Sequence, residues 1–127
     1  MKLLDASAIL NLFQSGKYSA LIAGANIPLA RYEIGNILWK NHKIRNRISK
    51  KEAMESGTVL FELIDSMEQI VPAPASALNL SLEEGPAFYD SSYIISAIES
   101  GCELATEDVK LHKITSPKVP TRKSSDL

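Results

Sequence analysis

A chain of 127 residues carries one domain and not two, and with 45% hydrophobic and 23% charged residues it has the make-up of a globular fold rather than a disordered or membrane-embedded one. No apolar run reaches the ~20 residues of a spanning helix; Met1 runs almost at once into a core-like strand, so no signal peptide is expected; and the lone Cys102 excludes an internal disulfide and suits a reducing cytoplasm. The net charge of −1 hides a sorted distribution: residues 31–51 hold seven Lys/Arg and one acid, residues 52–108 twelve acids and no Lys or Arg, and residues 109–127 five basic residues and one acid.

In chain order, residues 2–5 read as a short strand and "SAILNLFQSG" as a helix closed by Gly16, a residue suited to a left-handed cap. "KYSALIAGAN" reads as a second short helical turn and "NIPLA" (26–30) as a second strand. "RYEIGNILWKNHK" places Ile34, Ile37 and Leu38 at helical spacing. Ser49, with Glu52 three residues on, is a capping box that opens a long amphipathic helix to about Met67. "QIVPAP" is a brief extended stretch broken by prolines, "SALNLSLEEG" a short helix ended by Gly85, and "FYDSSYIISAIESG" another ended by Gly101. "CELAT" (102–106) is a strand and "EDVKLHK" a last helical turn. One domain is expected over 1–115, with 116–127 a polar tail that is either a degenerate edge strand or flexible.

Strands separated by helices predict an α/β fold with a parallel sheet, in which strand C-termini and the N-termini of the following helices share one edge. Four acids map to that edge: Asp5 at the end of the first strand, Glu33 in the first turn after the second, Asp90 in the first turn of its helix, and Asp108 two residues past "CELAT". Each alone has an ordinary explanation as a helix cap or first-turn acid. Together they would repel, and some would take up protons unless a cation intervened. Oxygen-only ligands select Mg²⁺ or Mn²⁺ over zinc, and neither His42 nor His112 is spaced with Cys102 for a zinc site.

"LLDASAILNLF", "ARYEIGNILWK", "AFYDSSYIISA" and "LATEDVKL" resemble, in order and spacing, the four acidic motifs of the PIN-domain family, and in particular its small VapC-type toxins. The likeness spans roughly residues 1–114. "FYDSSY" followed eighteen residues after its Asp by "TED" is its more specific part. The resemblance implies a three-layer α/β/α fold with a small central parallel sheet. It makes Asp5, Glu33, Asp90 and Asp108 the metal-binding, catalytic acids, with Thr106 and Ser7 supporting them. It implies a Mg²⁺- or Mn²⁺-dependent endoribonuclease that leaves a 5′-phosphate and a 3′-hydroxyl, is homodimeric, and is held inactive by a cognate antitoxin. The family commonly ends on an apolar strand, whereas this chain ends "TSPKVPTRKSSDL".

A negative site must still hold a negative polymer. "KNHKIRNRISKK" supplies Lys40, Lys43, Arg45 and Arg47 as candidate RNA contacts, and the tail adds Lys118, Arg122 and Lys123. The ordinary reading of 40–51 is a solvated helix end, where cations suit the dipole. His112 is expected near the site as an RNA or solvent contact and His42 at the surface. Tyr32, Tyr89 and Tyr93 are candidates for base stacking, although the four-residue spacing of Tyr89 and Tyr93 favours core packing. Trp39 and Phe61 read as core or interface, and Cys102 as a buried, inert thiol. Two rival readings stand beside the toxin: a PIN-type nuclease of RNA processing without an antitoxin, and a non-catalytic binding module, which would be expected to have lost one or more of the acids. A haloacid-dehalogenase fold also places an Asp after its first strand but wants a second two residues on, where Ser7 stands.

Overall fold

Leu3 and Leu4 are both fully buried, and they point into different cores because successive strand residues face opposite sides of a sheet. The computed structural model describes residues 1–127, and in it β1 (Lys2–Leu4) is the centre of a five-stranded parallel sheet. Its neighbours are β2 (Ala25–Asn26) and β4 (Glu103–Ala105), flanked by β3 (Glu68–Gln69) and β5 (Thr121–Arg122), in the order β3-β2-β1-β4-β5. Leu3 is in register with Ala25 on one side and Leu104 on the other.

Four helices, α1 (Ala6–Gln14), α2 (Tyr18–Ala23), α3 (Leu29–Lys43) and α4 (Lys50–Ser66), share a core with Leu4 and Ala105. On the other face α5 (Pro74–Glu84), α6 (Phe88–Ser100) and α7 (Val109–Thr115) share one with Leu3, Ala25 and Leu104. This is the expected three-layer α/β/α arrangement. The chain order reverses at β1, which has β2 on one side and β4 on the other. In open parallel sheets ligands bind beyond the strand C-termini at such a switch point. The residues after β1 and β4 are therefore the ones placed to do chemistry.

Local signals mostly fix the element ends. The Ser49–Glu52 capping box is complete, with both reciprocal hydrogen bonds at 3.0 Å. Gly101 ends α6 at φ 66°, a left-handed conformation that a side chain would strain.

Three expectations change. The strand expected over 26–30 stops at Asn26, because Pro28 already has helical angles (φ −53°, ψ −33°) and starts α3. Glu33 consequently opens the second turn of that helix rather than the first. Of the two readings of Trp39 and Phe61, core or interface, the first is excluded: they are 51% and 37% exposed and line an apolar groove between α3 and α4 with Leu38 and Met54. Tyr89 is 60% exposed on the rim of a groove beside Pro28 and Val71, whereas Tyr93, one turn further along α6, is buried over the sheet.

The tail is ordered at the sheet edge. Leu104 pairs with Thr121 and Ala105 with Arg122, and Ser124 is buried. Polar residues suffice for an edge strand because only one side of it needs to be satisfied by a neighbour.

Candidate active site

Asp5 both caps α1 and lines the acidic cavity. Its Oδ1 accepts from the Ala8 amide at 2.8 Å, the N-cap bond of α1, and from the Ser7 hydroxyl at 2.7 Å. Its Oδ2 accepts from the Thr106 hydroxyl at the end of β4. Ser7 and Thr106 thus each give their single proton to Asp5. In turn their oxygens accept from the amides of Glu107 at 2.9 Å and Asp108 at 2.9 Å. The ends of β1 and β4 are stitched together by hydroxyls through one carboxylate that is only 5% exposed.

Asp108 caps α7, its Oδ1 accepting from the Lys110 and Leu111 amides at 2.9 and 3.1 Å. Glu33 approaches from α3, in the helical layer on one face, and Tyr93 from α6 on the other. The Tyr93 hydroxyl donates to Glu33 Oε1 at 2.6 Å and so bridges the two layers. Asp90, in the first turn of α6, completes the set. The four acids line a single cavity of about 190 Å³, together with Ser7, Asn36 and Tyr93.

The electrostatics follow from crowding and burial. Burial raises the Asp5 carboxyl above its ordinary range against the pull of its three hydrogen bonds, with a further push from Asp108. Glu33 is raised by burial, and by Asp5, Asp90 and Asp108, against the Tyr93 hydrogen bond. Asp90 is raised by burial and by Asp108, with Lys110 opposing. The Tyr93 phenol is raised well above its ordinary value by burial and by Glu33, so it remains a donor at neutral pH.

No three of the Asp, Glu, His and Cys side chains are drawn together tightly enough to enclose an ion as they stand. The donor set still fits a hard divalent cation: oxygens alone line the acidic wall, and their mutual repulsion is what such a charge would relieve.

The structure brings together Asp5, Glu33, Asp90, Asp108 and Ser7, with Thr106 bonded directly behind Asp5. It does not bring the candidate RNA contacts into the cavity. Lys40 lies further along α3, while Lys43, Arg45 and Arg47 are exposed around the end of that helix, Arg45 donating to Asn41 at 3.0 Å. His42 is half-buried, its ring on the Ile48 carbonyl at 2.9 Å, and His112 borders a groove next to Asp108. Cys102 is buried. Sequence reasoning missed Asn36 and, for Tyr93, which is buried as its spacing suggested, the bond of its hydroxyl to Glu33. Both carried a signal, since each lies three positions after a site acid and so on the same helical face.

No protein-family model matches the chain. It is 32% identical over 114 residues to Exonuclease VapC9 of Pyrobaculum aerophilum, covering 86% of this chain and 81% of that protein. It is 31% identical over 122 residues to Ribonuclease VapC3 of the same organism, covering 87% and 92%. The crystal structure of PAE2754 from Pyrobaculum aerophilum superposes with a TM-score of 0.79 at 28% identity, over 98% of this chain and 90% of that one. No helix is long and apolar enough to cross a membrane. The relatives share most of their length and nearly a third of their residues with a chain whose acids meet at the switch point of a parallel sheet, and on that ground the chain belongs to the VapC family of PIN-domain proteins.

Proposed function

We propose that this chain is a Mg²⁺- or Mn²⁺-dependent endoribonuclease, the toxin of a toxin–antitoxin pair. The observation that carries the reading is the gathering of Asp5, Glu33, Asp90 and Asp108, spread over the whole sequence, into one cavity where burial and mutual repulsion leave them short of positive charge. The names of the VapC relatives, one an exonuclease and one a ribonuclease, support phosphodiester chemistry. Internal rather than terminal cutting is supported by the shape of the site. Asp108 lines both this cavity and a second groove, which gives a strand bound at the acids a surface to pass onto rather than end at.

The four acids would hold the cation. Once bound, it supplies a charge that polarises the scissile phosphate and makes a water more acidic. The protein's own groups then divide the work. Ser7 and Thr106 lock Asp5 in one orientation, and the N-cap bonds do the same for Asp108. Glu33, steered by Tyr93, is placed to orient the attacking water. No covalent nucleophile is needed: Ser7 has no histidine partner, and its proton is committed to Asp5.

The same reading gives the chain a cognate antitoxin and a homodimeric state. The exposed apolar groove of about 360 Å³ around Trp39, Met54 and Phe61 is the kind of surface on which such association depends.

The test is cleavage of a circular RNA by purified protein with Mg²⁺ or Mn²⁺, and with EDTA. Cutting should occur with the ion and stop with the chelator, and Asp90→Asn should lower it by at least about a hundredfold. Parent-level cleavage by Asp90→Asn would refute the site; cutting of linear RNA alone would refute internal cleavage.

A further inference from the structure

Asp108 also borders a groove of about 370 Å³ whose walls include Thr106, Glu107, His112, Lys113 and Lys123. Asp108 lines both spaces. The basic residues of the C-terminal region are not equivalent around it. Lys118 is tied to Glu84 at 2.7 Å and Arg122 to Glu103 at 3.2 Å. Lys113 and Lys123 are exposed and paired with no carboxylate, and both face the groove.

Lys123 is also held in place by its neighbours. The Arg122 carbonyl accepts from the Thr106 amide at 3.0 Å, within the sheet ladder. On its other side the Ser124 amide donates to Glu107 Oε2 at 2.8 Å, and Ser124 Oγ accepts from Asn11 at 2.9 Å. Glu107, one of the two acids of this groove with Asp108, is thus engaged in anchoring the tail. The polar C-terminal segment does more than close the sheet: it delivers an ammonium group to a groove that meets the acidic cavity at Asp108.

We propose that this groove is a track for the RNA strand on one side of the scissile bond, with Lys113 and Lys123 binding backbone phosphates. The inference rests on the ribonuclease reading and adds to it where the strand lies. An ammonium on a flexible stem meets a phosphate as a point charge and reads no base, so the track is indifferent to sequence. It complements the cavity. Acids with their cation hold the reacting phosphate, and the lysines hold those that follow.

The experiment is fluorescence anisotropy of a labelled, mixed-sequence single-stranded RNA with the full chain in EDTA, over a range of salt, with Mg²⁺-dependent cleavage by the wild type run alongside. Each phosphate contact to a single strand contributes roughly 0.7 to the slope of log K against log salt. The Lys113→Ala/Lys123→Ala double variant should therefore lose about 1.4 from that slope and bind about tenfold more weakly at low salt. Arginine at both positions should restore the slope, since it keeps the charge. Lys118→Ala should leave it unchanged. Both lysines are exposed, so the fold is not at stake. If the wild type cuts RNA while the double variant keeps its slope, the track is wrong and the nuclease stands. If the wild type neither binds nor cuts RNA, the nuclease reading falls and takes the track with it.

Discussion

Tyr93 shows how one buried hydroxyl can organise a site. Its ring is 2% exposed and packs in the core beneath α6, while its hydroxyl crosses to the opposite helical layer to hold Glu33. Removing the oxygen would keep the packing and free the carboxylate to swing. Tyr93→Phe should therefore fold normally and lower kcat by about tenfold or more, with KM little changed, as loss of a partner behind a ligand usually does. Steady-state cleavage rates with melting curves check this; an unchanged kcat would mean that Glu33 needs no steering. Asp5 teaches a related point. Capping and lining the cavity are not alternatives for it, because the geometry that caps α1 also places the carboxylate past the end of β1.

Among the elements, the end of α2 leaves no room for a side chain beside β1. Gly24 follows α2, and a Cβ built there would meet Leu4 Cδ1 at 2.7 Å, Cγ at 2.8 Å and the Lys2 carbonyl at 3.3 Å. Its φ of −85° is open to any residue, so the constraint is space rather than backbone conformation. Leu4 is fully buried between α1, α3 and α4 and has nowhere to move. Gly24→Ala should cost about 1–3 kcal/mol, the usual range for overpacking. It should appear as a lower urea midpoint at unchanged m. Because Asp5 follows Leu4 directly at the end of β1, the same substitution should lower activity at temperatures well below unfolding.

The charge of the whole molecule is nearly balanced, yet the cavity concentrates acids at one point. Asp5, Glu33 and Asp90 all have carboxyls raised above their unfolded values, first by burial. A raised carboxyl favours the protonated folded state. The stability it contributes is complete below the unfolded carboxylate range and is lost as pH rises through the raised folded values. Metal-free protein should therefore gain melting temperature on going from neutral to mildly acidic pH. Glu52, lowered by its capping-box bonds to Ser49, works in the opposite sense and sets a limit as pH falls further. At neutral pH, Mg²⁺ at about a hundred times its Kd should add about 2.7 kcal/mol, several degrees in melting temperature, and flatten the pH dependence. Melting curves at pH 5 and 7, with Mg²⁺ and with EDTA, test both signs. A melting temperature indifferent to Mg²⁺ would separate the cavity from cation binding.

Helix and strand types, the capping box at Ser49, the glycine stops and the four acids at one sheet edge were all legible in the linear order of residues. The elements and their ends rest on periodicity or on caps, both local properties, and the common edge of the acids on the fixed handedness of parallel-sheet connections. The start of α3 was misplaced because an apolar run before a helix reads equally well as strand, and only the backbone angles of Pro28 settle it. Exposure was less legible. Tyr89 and Tyr93 share a helical face, and which of them is covered depends on how far α6 overlaps the sheet. The tail was the least legible part. Its composition is that of a flexible segment, and its place as β5 is decided by an edge of β4 and an acceptor at Glu107 that lie elsewhere in the chain. The residue types that can do chemistry are thus written along the sequence, while the distances between them, and which lysines stay free to meet a phosphate, arise only when separate segments are packed against one another.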